Sequence, residues 1–436
     1  MARIITIVLS FLFLLTTISN AQRLERFSED HAEFIRQLEE YMTSSKREVL
    51  EEAYKEFADV FASGQFTEEE VQQILKTGNA MLELRMTAGP YFQNYLRALT
   101  KVKNTKDPAR VFQEWHSVMD QMLAGIENRR LRPFDDFLEF SSQFFERRAL
   151  RYSDSGGTSW YAYTDDFTFK YEEEQPVVTF EGLDLMAQRR TDSIFIYQTS
   201  GTFEPVERMW RGTGGRVTWE RHGLPKGVFA ELGDYEFEAI KSLYTVEDAK
   251  MHYPVYFGNK AVTGTFSDKL VSSSDAVEGS FPRFESTERL EVSNIGEGIA
   301  FEGYFRLHGT TVYGFGNKQQ PARINIRDAN STASFRGASE LFTIRREDHI
   351  AGSGVEGVLY FGKDSIYHPS VDVRFEIKER EMTLTRGESA ADQNPFYSSL
   401  HGINFYANSM TAYLNGDSIA IGRGKLPYQR KEDVFF

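Results

Sequence analysis

Histidines, carboxylates and arginines are the side chains with which this chain could do chemistry, and their spacing limits what that chemistry is. Its eight histidines are His31, His116, His222, His252, His308, His349, His368 and His401. None stands at H-x-H or H-x-x-x-H from another, so no local pair of zinc ligands can be read. His368, in "GKDSIYHPS", has Asp364 and Ser365 close by, the residue types of a hydrolase triad. The G-x-S-x-G elbow that would strain and expose such a serine is missing. The plainer reading is a strand that begins after a turn at Asp364 and is bent by Pro369.

The carboxylates of "YEEEQP" (171–176) are consecutive, and along a strand they alternate faces and cannot all converge. No calcium-loop pattern is present. The paired carboxylates of a glycosidase come from distant segments and are not legible in a sequence. "RGTGGRV" (211–217) and "YGFGNK" (313–318) lack phosphate-loop spacing and read as hairpin turns. The stretch richest in recognition chemistry is "RMWRGTGGRVTWERHG" (208–223). There Trp210, Arg211, Trp219, Arg221 and His222 form a candidate ligand surface, aromatic platforms beside charged groups such as a sugar site uses. The alternative is that both tryptophans fill a core at a hairpin. No catalytic residue, metal ligand or cofactor site is assigned. With no cysteine in 436 residues, thiolate zinc sites, thiol nucleophiles and iron–sulfur clusters are excluded.

The elements that must position these residues fall into two regions. Residues 22–150 read as a helical bundle or array of five or six helices. "FIRQLEEYM" and "EVLEEAYKEFADVF" carry apolar residues at helical spacing, and Gly64 follows the second as a stop. Thr67 and Glu70 form a capping box, Asp107 precedes Pro108 as an N-cap, and Phe137, Phe140 and Phe144 stripe a last helix after Pro133. From "RYSDSGGTSW" onward the period changes to two, so 151–436 is expected to be an extended all-β body, sandwich- or solenoid-like, in an α+β multidomain chain. "AVTGTF" (261–266), "AVEGSF" (276–281) and "AFEGYF" (300–305) share one pattern, and 178–196 aligns without gaps to 403–421, which suggests irregular β repeats. In "AFEGYF" the apolar residue, Gly303 and Phe305 share the buried face. The glycine is expected to make room for a neighbouring layer or a large aromatic such as Phe305, or to let the sheet curve.

Arg3 and the apolar run "IITIVLSFLFLL" are followed by "TTISNA", with small residues at Ser19 and Ala21. This is the pattern of a signal peptide over residues 1–21, cleaved between Ala21 and Gln22. It places the expected location in the periplasm, outer membrane or cell surface. A formal charge of −14 with no basic cluster argues against nucleic acid.

The runs "SGTFEPVERMWRGTGGRVTWERHG" (200–223), "KDSIYHPSVDVRFEIKEREMTLTRG" (363–387) and "NPFYSSLHGINFYANSMTAY" (394–413) resemble the N-terminal part of large exported β-rich proteins of Gram-negative bacteria. The resemblance covers about 150–430 and implies no activity for any residue. Members of that group are longer, so truncation of the β body at Phe436 is an open expectation. The sequence thus leads to an exported envelope or surface protein with a scaffold or binding role, its partner a glycan, a lipid or another envelope protein. An outer-membrane β-barrel and a carbohydrate-active enzyme on a β fold are the alternatives.

Overall fold

A computed structural model describes residues 24–270, 280–387, 393–416 and 418–422. The expected signal peptide, most of "AVEGSF", Asp417 of the internal alignment and Phe436 lie outside the described residues. The chain divides into two compact units. One holds the described residues up to Ala149 together with 168–179 and 204–206; the other holds 150–167, 180–203 and the residues from Glu207 onward.

The first unit contains seven helices over residues 31–147. Six are labelled here: α1 (His31–Thr43), α2 (Glu48–Ala62), α3 (Glu68–Glu83), α4 (Gln93–Val102), α5 (Pro108–Ala124) and α6 (Arg132–Arg147). The seventh is the single wide turn Ala88–Phe92 ahead of α4. Their starts follow from local chemistry. Thr67 caps α3 in a reciprocal box with Glu70, and Asp107 accepts from the Arg110 N–H with Pro108 at the first helical position. The phenylalanine stripe of α6 is buried, and Phe169, from the returning segment 168–179, completes it. The Phe169 ring centre lies 6.2 Å from Phe137 and 5.7 Å from Phe145. No described helix is long and apolar enough to cross a membrane.

The second unit is a large β body containing a six-stranded barrel with many extra strands. Period-two alternation is visible directly as burial. In Ile299–His308 and Ala322–Arg327, buried and more accessible residues take turns along the strand. Two local expectations, the hairpin turn in "RGTGGRV" and the strand in "YEEEQP", are corrected. Strand Met209–Thr213 pairs with Asp234–Glu238, and Arg216–Thr218 pairs with Phe229–Glu231. Gly214 and Gly215 therefore do not close a hairpin. They form the corner of one long bent hairpin, continued by Gly214 N–H to Gly233 O and Leu232 N–H to Gly215 O. In "YEEEQP", Glu173 and Glu174 are not strand residues. They form the two-residue turn between Phe167–Glu172 and Gln175–Arg189, both at positive φ as a primed hairpin turn requires.

The strand Asp364–Glu376 runs through Pro369, and its register with His349–Phe361 slips between the Gly357–His368 and Val355–Val371 pairs. His368 is buried and satisfied: Nε2 is 2.8 Å from Asn394 O, and Nδ1 accepts from the Ser370 N–H. Asp364 accepts instead from Ser399 Oγ. The two segments matched in the internal alignment differ in continuity. Gln175–Arg189 is unbroken, whereas its counterpart is split into Ile403–Phe405 and Ser409–Tyr413.

Candidate functional site

One concave surface of the β unit is built from four neighbouring strands: Ile299–His308, Ala322–Arg327, Ala333–Ser339 and His349–Phe361. Their antiparallel registers place residues in cross-strand rows. Phe301, Ile324, Gly337 and Gly357 form one row on the inner face, and all four are buried. On the outer face one row is Ala300, Asn325, Arg336 and Val358; the next is Glu302, Arg323, Ala338 and Glu356. Two alanines, Ala300 and Ala338, and Val358 stand among the longer polar residues of these rows. The small side chains leave a floor, and the long ones stand around it as walls.

The result is a trough of about 820 Å³ whose polar lining is Ser293, Arg323, Asn325, Arg327, Arg336 and Glu356. Gly298 lies on its rim at φ +67°, where a Cβ would come within 2.0 Å of Arg327 O, so only glycine fits. Arg380 holds that turn from outside, donating from Nη1 to Glu297 O at 2.9 Å and pairing with Asp328 at 3.3 Å.

Electrostatics set these arginines apart. Arg323 is 3.5 Å from Glu302, a carboxylate it shares with Arg289. Arg336 lies over the ring of Tyr360 at 5.5 Å, a cation–π contact that fixes its plane without neutralising it. Among the described residues neither Arg327 nor Arg336 has a carboxylate partner. Glu356 accepts from the Tyr367 hydroxyl at 3.2 Å. Burial, and then the Glu356 charge, hold that phenol above its ordinary range. Three guanidinium groups against one carboxylate make the lining cationic, in a chain whose formal charge is −14.

The residues singled out from sequence are placed elsewhere and are divided among themselves. Trp210 and Trp219 are both fully buried at 0% exposure, so neither is a platform. The bent hairpin turns both indoles inward. Trp210 packs 5.7 Å from Phe180 and 6.5 Å from Phe237, and Trp219 meets Phe266 edge-on at 5.7 Å. Arg211 is exposed and pairs with Glu236 across the strand. Arg221 and His222 sit together in the short turn Glu220–His222 at the hairpin tip, with Arg221 Nε donating to His222 Nε2 at 3.0 Å. Burial, and then the neighbouring Arg221 charge, push the His222 pKa down. The Arg221 guanidinium also reaches Ser193 O and the buried carboxylate of Asp268. Burial raises the Asp268 pKa to about 6 against the opposing pull of Arg221. This charge pair ties the hairpin tip to the strand Val262–Lys269, which is a structural role.

The helical unit has its own groove of about 650 Å³ between α3 and α5. Three of its titratable groups, Glu70, Asp120 and His116, are already engaged. Glu70 pairs with Lys103 at 2.6 Å, and Asp120 pairs with Lys76 at 2.6 Å. His116 makes 3.0 and 3.1 Å contacts to Phe112 O and the Tyr95 hydroxyl. Groups already paired offer a ligand little, whereas the trough presents guanidinium groups without carboxylate partners. No protein-family model, no curated protein and no solved structure matches the chain.

Proposed function

We propose that this is an exported, non-catalytic binding protein of the cell envelope, and that its trough takes an anionic chain, an acidic glycan being the ligand class that fits. The observation that carries the reading is the pair Arg327 and Arg336, two guanidinium groups without carboxylate partners on one concave surface of an acidic chain. A planar guanidinium fork matches carboxylate and sulfate oxygens two at a time, so its complement is an anion rather than a neutral sugar. The open trough suits an extended chain better than a small enclosed molecule. Export is supported by the apolar run and the Ser19–Ala21 pattern of residues 1–21.

A glycosidase of the two-carboxylate kind needs two acids flanking the bond, and the described lining supplies Glu356 alone. For an outer-membrane barrel, Arg323, Arg327, Arg336 and Glu356 stand on the outward face of adjacent strands, where each cationic side chain in lipid would cost about 2–4 kcal/mol at mid-depth. Affinity electrophoresis of the full-length protein through gels containing polygalacturonate, alginate or neutral dextran tests the proposal. Retardation by the acidic polymers and free migration in dextran are expected. Equal migration in all three would refute it.

A further inference from the structure

A second group of side chains, independent of the trough reading, comes together at one end of the hairpin made by His349–Phe361 and Asp364–Glu376. His349 opens the first strand and stands opposite Glu376, which ends the second. Asp348 reaches the same place from the preceding turn. Its N–H donates to Arg345 O at 3.0 Å, and its carbonyl accepts from the Ile377 N–H at 2.9 Å. One donor atom from each of the three residues lies within 4.8 Å of the others. The His349 side chain is 10% exposed, so one wall of the cluster is fixed in the sheet, while Asp348 faces solvent.

We infer that Asp348, His349 and Glu376 form a binding site for a borderline divalent cation, Zn²⁺ or a first-row neighbour such as Co²⁺. One imidazole nitrogen with two carboxylate oxygens is a donor set those ions accept, and three protein ligands leave a position for water. The separations agree with this. Two donors each about 2.0–2.1 Å from one ion sit about 2.9–3.4 Å apart, for angles from a right angle to the tetrahedral value. His349 Nδ1 and Asp348 Oδ2 are 2.9 Å apart. Rotation of the Glu376 side chain brings the third donor in. An ordinary histidine–carboxylate pair does not account for the cluster. His31 with Glu68, His252 with Glu231 and His308 with Glu285 are such pairs, each with two members. Among the described residues, only here does a third ligand atom stand within reach of both.

The site also holds a competitor. Arg374 lies two residues before Glu376 on the same face, and its Nε donates to Glu376 Oε1 at 2.6 Å. A cation must bind the other carboxylate oxygen or displace that guanidinium, so Arg374 weakens the site and its removal strengthens it.

The test is titration of untagged full-length protein, freed of metal by chelator and dialysis, with Co²⁺ followed by visible absorption and with Zn²⁺ followed by calorimetry. One equivalent with Co²⁺ ligand-field bands is expected for the wild type. Glu376→Gln and His349→Gln are expected to weaken binding more than about tenfold, and Arg374→Ala to tighten it. Far-UV circular dichroism monitors folding, and the near-isosteric Glu376→Gln decides the matter if His349→Gln does not fold. Absence of a bound equivalent in the wild type, or an affinity unchanged in Glu376→Gln, overturns the proposal.

Discussion

The ring of Phe301 occupies the place a side chain on Gly314 would need: a Cβ built there would lie 2.2 Å from Phe301 Cε2. The same ring crosses Gly303, where a Cβ would meet its Cζ at 2.6 Å. Gly303 is therefore a packing glycine, as its position on the buried face implied. The aromatic that needs the room is Phe301, two residues earlier, rather than Phe305. Phe335 repeats the device, lying 2.7 Å from a Cβ at Gly337 and 3.1 Å from one at Gly357, which stands directly opposite. Large rings laid over cross-strand glycines fill the layer without crowding it.

Gly314→Ala should therefore destabilise the protein by about 1–3 kcal/mol, the usual cost of forcing volume into a filled core. Gly182→Ala, where no atom lies within 4 Å of the added methyl, should change stability by less than about 0.5 kcal/mol. Urea unfolding of the two full-length variants checks this. Equal effects would mean that the Phe301 ring moves aside freely.

Lys103 and Glu70 are both nearly buried, at 9% and 11% side-chain exposure, and Glu70 also closes the cap of α3 by accepting from the Thr67 N–H at 2.8 Å. The ammonium lies 5.0 Å from the Phe66 ring centre as well. Lys103→Met should cost about 3–5 kcal/mol, because it leaves a desolvated carboxylate unpaired. The double variant with Glu70→Gln should recover part of that loss. A thermal melt in which Lys103→Met matches the wild type would show that Glu70 is solvated in solution.

Asp268 should make stability fall as pH rises. Burial lifts its pKa from 3.8 to about 6, so between those values the folded chain keeps a proton that the unfolded chain has lost. The stabilising contribution is complete below about pH 4 and gone above about 6, a change on the order of 3 kcal/mol. Subtracting the pH–stability curve of Asp268→Asn should reveal this decline. A flat difference between pH 4 and 6 would contradict the buried placement.

His116 acts in the opposite sense. Burial lowers its pKa from 6.5 to about 3, while the Phe112 carbonyl it faces pulls weakly upward. Its contribution is fully present above about pH 6.5 and is lost on acidification towards 3, because the unfolded chain takes up the proton first. His116→Gln, which can keep both hydrogen bonds, should remove that acid sensitivity. The measurement is the midpoint of urea unfolding at pH 7 and pH 4.5. A variant as acid-sensitive as the wild type would place the titrating group elsewhere.

What the sequence made legible was local. Thr67 with Glu70, and Asp107 before Pro108, mark helix starts because cap and helix lie within four residues of each other. In Ala322–Arg327 the strand's alternation puts Arg323, Asn325 and Arg327 on one face and Ile324 and Ile326 on the other. The trough needs more than that. Arg336 joins Asn325, and Ala300 flanks it, only through registers between separate strands, which no single segment encodes. The two tryptophans show the converse. Their composition suits a platform as well as a core, and the corner at Gly214 and Gly215 in a long bent hairpin accompanies their inward direction. No local pattern marks Asp348, His349 and Glu376 as a group, because Glu376 lies 27 positions and a whole hairpin beyond His349.

The central claim, that Arg327 and Arg336 recognise an anionic chain, is tested most directly by calorimetric titration of polygalacturonate oligomers into the full-length protein and its Arg327→Gln/Arg336→Gln variant. The account predicts saturable binding by the wild type that weakens as salt rises, and at least a tenfold loss in the variant, at about 1.4 kcal/mol per tenfold change. Affinity that is equal in the two proteins, or indifferent to salt, would contradict it.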